Sequence, residues 1–203
     1  MKKNWVLTAV MLMFALLLLG GCATTNQRVN FLYAPSNYAS GGSGDLYIVE
    51  PVGSTTKETT NQWILGKITD SDGKQTGNII SPVRPDDLVA NAFSMELKAA
   101  GYNAMASVKS PDNATRIVML NSLHLEMKEV TNFVKAEVNC SLKISLGLIK
   151  SGKLIKTLDY EAGNQSTVVT NKATLIDDML RTTLKDIMKQ AVPEIVKNFE
   201  NPA

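Results

Sequence analysis

The chain has 203 residues, 44% of them hydrophobic and 20% charged, with 21 basic and 19 acidic side chains. Two of the basic residues, Lys2 and Lys3, stand in an N-terminal leader, and without them the 21 basic side chains fall to 19, equal to the 19 acidic ones. A neutral chain of this size suits one domain with a hydrophobic core, and it excludes a general electrostatic attraction to nucleic acid or to an anionic lipid surface.

The leader ends in two small residues and a cysteine. An apolar run over residues 5–19 is followed by Gly20, Gly21 and Cys22. The run is shorter than the ~20 apolar residues of a membrane-spanning helix, and it has the length of the apolar region of an export signal. Its ending resembles a lipoprotein lipobox, so we predict cleavage between Gly21 and Cys22 and lipidation of Cys22. The alternative is an uncleaved signal anchor with an incidental cysteine.

Lipidation predicts how and where the mature protein is held. Residues 1–21 leave as a signal peptide, and 182 of the 203 residues remain. The chain then binds the membrane through its N-terminal acyl chains, each buried methylene contributing ~0.8 kcal/mol. Ala23 follows the cysteine, at the position where an Asp resembles an inner-membrane retention signal. We therefore predict an outer-membrane protein that faces the periplasm, in an organism with two membranes.

Cysteine usage limits how the protein is stabilised. Once Cys22 is acylated, only Cys140 remains, so an intramolecular disulfide is excluded and stability must come from packing. Cys140 stands among alternating apolar residues, which predicts a buried and unreactive thiol.

Composition divides the mature chain into a leading segment and one domain. Residues 22–44 comprise the lipidated cysteine and a mostly polar segment that ends rich in Gly and Ser. This composition predicts a flexible tether. We predict a single periplasmic α+β domain over residues 45–199 and a short tail over 200–203.

The first half of the domain predicts three strands and a helix. The strands cover residues 45–52, 63–68 and 75–80, and a Ser-Asp-Gly-Lys turn joins the last two as a hairpin. A proline and two carboxylates then begin a helix over 85–100, where apolar residues recur at helical spacing. Gly101 ends it at a position that favours a left-handed residue.

The second half predicts four further strands, over 103–109, 115–130, 134–148 and 154–168. One face of the second of them carries Ile117, Met119, Leu123, Leu125 and Met127. In the third, eight apolar residues alternate with polar ones without a break: Val134, Ala136, Val138, Cys140, Leu142, Ile144, Leu146 and Leu148. This alternation excludes a helix, and a strand of such length is expected to bend or carry a bulge, with Gly147 as one candidate position.

A second helix follows over 173–199, with Pro193 expected to kink or split it near Ala191. Strict alternation in the strands predicts one solvated and one dry face, and the two helices supply the cover for the dry one. The fold class expected is α+β: a two-layer sandwich in which a mainly antiparallel sheet has two helices covering one face.

The order of these elements resembles the YajG-like family of bacterial lipoproteins. The resemblance is carried by Asp45-Leu46-Tyr47-Ile48-Val49-Glu50-Pro51, Ile64-Leu65-Gly66-Lys67-Ile68, Asp86-Asp87-Leu88-Val89 and Leu97-Lys98-Ala99-Ala100-Gly101-Tyr102. More distantly the chain is similar to auxiliary lipoproteins of envelope ABC transporters such as PqiC. The resemblance implies a periplasm-facing outer-membrane lipoprotein with no established enzymatic activity, and it carries over no catalytic residue.

Residues suited to chemistry are few. His124 and Glu126 share a strand face and would make a general-base pair, but a solvated polar face accounts for them as well. The carboxylate pairs Asp86-Asp87 and Asp177-Asp178 stand in first helical turns, where they stabilise the helix dipole. One His and one unlipidated Cys are too few for a zinc site. We therefore predict no catalytic, metal or cofactor site, and no enzyme.

Two functions remain. In the first, the domain is a non-enzymatic binding module that docks an envelope protein through its solvated face or an open sheet edge, in envelope assembly, maintenance or transport. In the second, the space between sheet and helices holds a lipid or other apolar ligand. That space would be lined by Met119, Met127, Met179 and Met188. An envelope hydrolase ranks below both.

Overall fold

The computed structural model describes residues 25–30, 32–50, 57–58, 62–132, 134–169 and 174–200. Gly21 and Cys22, where the sequence predicts a lipobox, lie outside these ranges. Within them the chain forms nine strands and two helices, in this order: β1 Gln27–Arg28, β2 Asp45–Val49, β3 Lys57–Glu58, β4 Gln62–Thr69, β5 Gln75–Ser81, α1 Pro85–Ala99, β6 Asn103–Ser107, β7 Arg116–Thr131, β8 Ala136–Lys150, β9 Lys153–Val168 and α2 Leu175–Glu200.

Three long antiparallel strands, β7, β8 and β9, form the main part of the sheet. The β7–β8 pairing runs from Arg116 opposite Lys150 to Thr131 opposite Ala136. On its other edge β7 is shared by two shorter arms. The parallel strand β2 pairs with residues 117–119, and the parallel strand β4 pairs with residues 127–130. The sheet is therefore forked beyond β7.

The strand directions correct the expectation of a mainly antiparallel sheet. Of the eight pairings among the described strands, four are parallel: β1 with β5, β2 with β6, β2 with β7, and β4 with β7. The sheet is mixed, while the α+β class and the helices on one face are confirmed. Alternation in a sequence shows that a strand has one buried face, but it does not show which neighbour the strand pairs with.

Helix α1 matches its prediction closely. It begins at Pro85 with Asp86 and Asp87 in the first turn and reaches Ala99. Gly101 follows with φ of 112°, and the amide of Tyr102 donates to the Leu97 carbonyl oxygen at 3.0 Å. This hydrogen bond satisfies a carbonyl that the end of a helix leaves free.

Helix α2 is a single helix through Pro193, so of the expected kink or split near Ala191 the split is wrong, while the kink stays a prediction. Proline removes one backbone hydrogen bond there. Ala191, Val192 and Ile195 around it are fully buried, while Pro193 itself is exposed. Packing of this face against the sheet therefore outweighs the lost bond.

A β-bulge in β7 changes which residues face the helices. The pairing with β8 shifts between Leu120 and Ser122, so Asn121 is an extra residue. Val118 and Leu120 point into the core before the bulge, and Leu123 and Leu125 do so after it. Met119 faces outward, which corrects its placement with Leu123, Leu125 and Met127. A bulge of one residue reverses the alternation.

The bulge expected in β8 lies instead in the strands on either side of it. Asn121 is the extra residue in β7, and Ile155 is the extra residue in β9, because Leu148 pairs with Lys156 and Ile149 with Leu154. Gly147 contributes in another way, since a Cβ there would lie 3.3 Å from both Asn121 Nδ2 and Leu154 Cδ1. Its missing side chain leaves room for those two. Val134, expected inside, lies exposed before the strand begins.

The segment before β2 is packed on the domain, in contrast to the flexible tether expected over 22–44. β1 pairs with β5, and Val29 is buried in the core. Tyr33 and Tyr38 pack against the core, and the Gly42 amide donates to the Ala100 carbonyl oxygen at 2.9 Å. A few apolar and aromatic side chains suffice to anchor a segment whose overall composition is polar.

Candidate functional site

The outer face of β7, β8 and β9 is broad, polar and free of covering elements among the described residues. Its polar side chains are Ser122, His124, Glu126, Lys128, Asn139, Ser141, Lys143, Ser145, Asp159, Glu161 and Gln165. Lys143 Nζ lies 2.8 Å from Glu161 Oε1 across the strands. This is the solvated face that alternation predicted.

His124 and Glu126 do not form an enclosed catalytic pair. Their Nε2 and Oε2 atoms are 3.8 Å apart, and both side chains are 69% exposed. At this separation in water the two groups interact weakly. The arrangement is that of a polar sheet face.

Two shallow grooves cross this face. One of about 430 Å³ is lined by residues that include Glu126, Asn139 and Gln165, where Gly163 leaves a gap in the row of side chains. The other, of about 410 Å³, passes His124, Lys143 and Glu161. Most of the residues that line them are polar, and both grooves are open to solvent.

An apolar patch lies at one end of the same face. Met119, Leu154 and Ile155 are 37%, 63% and 42% exposed. Met119 pairs with Gly147, and Leu154 lies against the same glycine, so the three side chains come from adjoining positions on β7 and β9. We call these three residues the distal patch. The bulge at Asn121 contributes to it, because the change in alternation leaves Met119 on the outer face.

β9 is an edge strand of the sheet. All of its pairings among the described residues are with β8, and they extend from Lys153 to Val168. Its other edge presents a row of backbone amides and carbonyls. Such an edge accepts an added strand from another chain.

Helix α2 holds β9 in place from the inner side. Glu194 accepts hydrogen bonds from Lys156 Nζ at 2.6 Å and from the Tyr160 hydroxyl at 2.7 Å. These bonds, led by that of Lys156, lower the pKa of the Glu194 carboxyl below its usual range. Farther along, Asn164 Nδ2 donates to Asp186 at 2.8 Å. The edge is therefore supported by side-chain contacts along its length.

A partly buried ionic cluster lies at the fork of the sheet. The Arg84 guanidinium contacts Glu50 and lies 2.9 Å from Asp87 Oδ1. Burial, followed by the hydrogen bond to Asp87, raises the pKa of Glu50 to about 7. The hydrogen bond from Arg84 lowers the pKa of Asp87. The cluster joins the end of β2 to the start of α1, so its ion pairs hold these two elements together.

Cys140 and the two aspartate pairs singled out in the sequence lie as follows. Cys140 is 1% exposed, which confirms that the thiol is buried, and burial raises the pKa of the thiol to about 11. Asp86 and Asp87, like Asp177 and Asp178, stand in first helical turns as expected. In the described residues no three His, Cys, Asp or Glu side chains group as metal ligands.

The four methionines expected to line one apolar space are dispersed. Met127 and Met188 are buried in the packed core, and Met179 packs at its margin. Met119 lies on the opposite face of the sheet. The bulge at Asn121 separates it from the others, and no pattern in the sequence marks that bulge.

The described helices include none that is long and apolar enough to cross a membrane. Sequence comparison adds no relative, because no protein-family model matches the chain and no curated protein matches it.

Solved structures do match. A Xanthomonas campestris protein described by the family DUF330 has a TM-score of 0.54 at 8% identity, over 87% of this chain and 97% of that one. An uncharacterized lipoprotein B of Nitrosomonas europaea gives 0.44 at 10%, over 85% and 94%. A minor lipoprotein of Acinetobacter baumannii gives 0.40 at 10%, over 77% and 92%. The first match shows a shared fold, while membership of the YajG-like family stays a prediction.

Proposed function

We propose that this chain is a lipoprotein of the bacterial cell envelope, anchored in the outer membrane through Cys22, that acts as a non-enzymatic adaptor. Its domain docks an envelope protein in the periplasm, in assembly, maintenance or transport. The observation that carries the proposal is the supported edge of β9 with the distal patch beside it. The proposal also draws on the lipobox, which ends in Gly21 and Cys22.

The edge and the patch suit one kind of partner. A strand added to β9 would gain backbone hydrogen bonds, and its side chains would reach Leu154 on the outer face and the exposed Ile155 beside it. Exposed apolar side chains at the centre of a contact contribute most of its free energy, while polar surroundings provide selectivity. Charged groups along β9, such as Asp159 and Glu161, discourage indiscriminate pairing. A protein partner with a free strand and an apolar side chain meets these requirements.

A carrier of an apolar ligand has less support. The interior side chains that would line its site are closely packed, and Met119, one of the four proposed, faces outward. Lipid extracted in stoichiometric amount from an unacylated form of the protein would favour the carrier over the adaptor.

The anchoring is tested by intact mass. The mature protein from its native envelope is expected to begin at Cys22 and to carry acyl chains, and it is expected to fractionate with the outer membrane. An unmodified cysteine or a retained leader would overturn the anchored part of the proposal.

The docking surface is tested by photo-crosslinking in cells. A photoreactive amino acid at Ile155 is expected to give a discrete crosslinked product, which mass spectrometry identifies. The matched control is the same amino acid at Met95, which is also exposed but lies on α1 in the other layer. The substitution Leu154→Glu is expected to abolish the product from Ile155, and Met95→Glu to leave it unchanged. Equal products from both positions, or none from Ile155, would contradict the adaptor.

A further inference from the structure

The segment after the lipidated cysteine is fastened to the domain from its first described residue. We call residues 25–30 and 32–44 the strap. The Thr25 amide donates to the Thr76 carbonyl oxygen at 3.0 Å, and the Asn78 amide donates to Asn26 Oδ1 at 3.0 Å. The Val29 amide then donates to the Ile80 carbonyl oxygen at 2.8 Å. The strap therefore begins as a strand beside β5.

Two buried carboxylates hold the strap. Glu129 faces inward after the β7 bulge, and its Oε1 accepts a hydrogen bond from Gln27 Nε2 at 3.1 Å. Glu96, fully buried in α1, accepts 2.6 Å and 2.8 Å hydrogen bonds from the Tyr33 hydroxyl and the Ser36 amide. Hydrogen bonds to charged groups are among the stronger ones, and a buried carboxylate that loses its partners is costly.

The start of the strap also requires a glycine in the neighbouring strand. A Cβ at Gly77 would lie 2.2 Å from the carbonyl oxygen of Thr25. The backbones approach each other so closely that only glycine fits without displacement. Thr25 is thus a fixed point on the domain surface.

Chain length sets how far Thr25 can be from the membrane. Three residue steps separate it from Cys22. At a maximum of ~3.6 Å for each residue, they span at most about 11 Å. The Cα of Cys22 therefore lies within this distance of Thr25, and the acyl chains extend from there through only the cysteine side chain and a glyceryl group.

Thr25 lies at one end of the long sheet. Its neighbour Thr76 follows the β4–β5 turn of residues 70–74, and Thr69 before that turn is in register with Val130 near the end of β7. The β7–β8 turn with Val134 and the end of β9 with Val169 lie at the same end. These two valines are 66% and 63% exposed. We call this the proximal end.

We propose that the proximal end, formed by residues 70–74, Val134 and Val169, rests on the lipid headgroup surface, and that the long strands stand away from the membrane. This rests on the lipidation of Cys22 in the proposed function. The covalent limit on Thr25 carries the proposal, and the exposed valines suit an interface where apolar side chains enter the headgroup layer. The β8–β9 turn and the distal patch are then held about 45 Å from the bilayer, since β8 rises ~3.3 Å for each residue.

The test measures the depth of single labels in the acylated full chain, reconstituted into phospholipid vesicles with nitroxide-bearing headgroups. Fluorophores are placed on Ser71→Cys and Val134→Cys at the proximal end, and on Lys153→Cys beside the β8–β9 turn. All three positions are exposed. Cys22 is acylated and Cys140 is buried, so the chain without an added cysteine serves as the labelling blank.

We expect headgroup nitroxides to remove most of the emission from the two proximal labels and little from the label at position 153. A flexible Gly-Ser insert between Thr24 and Thr25 is expected to restore the proximal emission, because it releases the short connection. Equal quenching of all three labels in a chain whose mass shows acylation would overturn the orientation and leave the anchoring intact. A chain without acyl mass would overturn the anchoring, and the orientation with it.

Discussion

The hydroxyl of Tyr33 donates a 2.6 Å hydrogen bond to Oε1 of Glu96, joining the strap to the buried face of α1. The other carboxylate oxygen of Glu96 is buried without a hydrogen-bond partner among the described residues. The bond from Tyr33 therefore satisfies one oxygen of a buried carboxyl group whose other oxygen lacks a partner.

Tyr33→Phe is expected to lower the free energy of unfolding by about 1–3 kcal/mol, because it removes a donor from a buried carboxylate. Urea denaturation measures the change. Tyr38→Phe is the matched control, since Tyr38 is another tyrosine of the strap that packs against the core. A loss of stability that is no greater for Tyr33→Phe than for the control would refute the role of this bond.

Gly77→Ala is expected to destabilise the domain by about 1–3 kcal/mol, because the new methyl group collides with the Thr25 carbonyl and forces the backbone to move. Hydrogen exchange should show the amides of residues 25–29 losing protection first. Gly163→Ala is the control, as a Cβ there meets no atom within 4 Å. If the two variants unfolded at the same urea concentration, the close approach would not matter for stability.

Glu50 predicts a pH dependence of stability. Burial raises its pKa in the folded protein to about 7, from 4.5. A folded state that binds the proton more tightly is favoured at low pH, so this contribution is complete below about pH 4.5 and is lost as the pH rises through 7. The lowered pKa of Asp87 has the opposite sign, and its contribution is lost only as the pH falls below its usual value of 3.8.

Glu50→Gln should therefore flatten the decline in stability between pH 4.5 and 7, as measured by urea denaturation at several pH values. The exposed Glu126 provides the comparison, and Glu126→Gln should leave the decline as it is in the wild-type protein. An unchanged decline in Glu50→Gln would show that another group is responsible.

Pro193→Ala is expected to raise the free energy of unfolding by about 1–3 kcal/mol. The substitution restores a backbone donor within α2 and removes the clash of the ring with the preceding turn, while the exposed position loses no buried contact. Lys197→Ala, one turn later on the same exposed face, should change stability by less than about 0.5 kcal/mol. Thermal unfolding followed by circular dichroism compares them, and a less stable Pro193→Ala would mean that the backbone has adapted to the proline.

Local patterns in the sequence were sufficient for most elements. The alternation around Cys140 determined a strand with one buried face, and the helical spacing up to Leu97, followed by Gly101, determined where α1 ends. These signals are local because a side chain's direction depends on its own backbone and that of its neighbours. The solvated face with His124 and Glu126 followed from the same rule.

Contacts between distant segments decided the rest. The bulge at Asn121 turns Met119 outward and Glu129 inward, and the parallel arms join β2 and β4 to different halves of β7. The strap docks because its side chains bind Glu96 and Glu129. Tyr33 is 63 residues from Glu96 in the chain, and Gln27 is 102 residues from Glu129. The sequence by itself determined the longer strands and the two helices, since each depends on neighbouring residues. Only the tertiary structure decided the edge, the distal patch and the proximal end, because these depend on pairing energies summed over residues far apart in the chain.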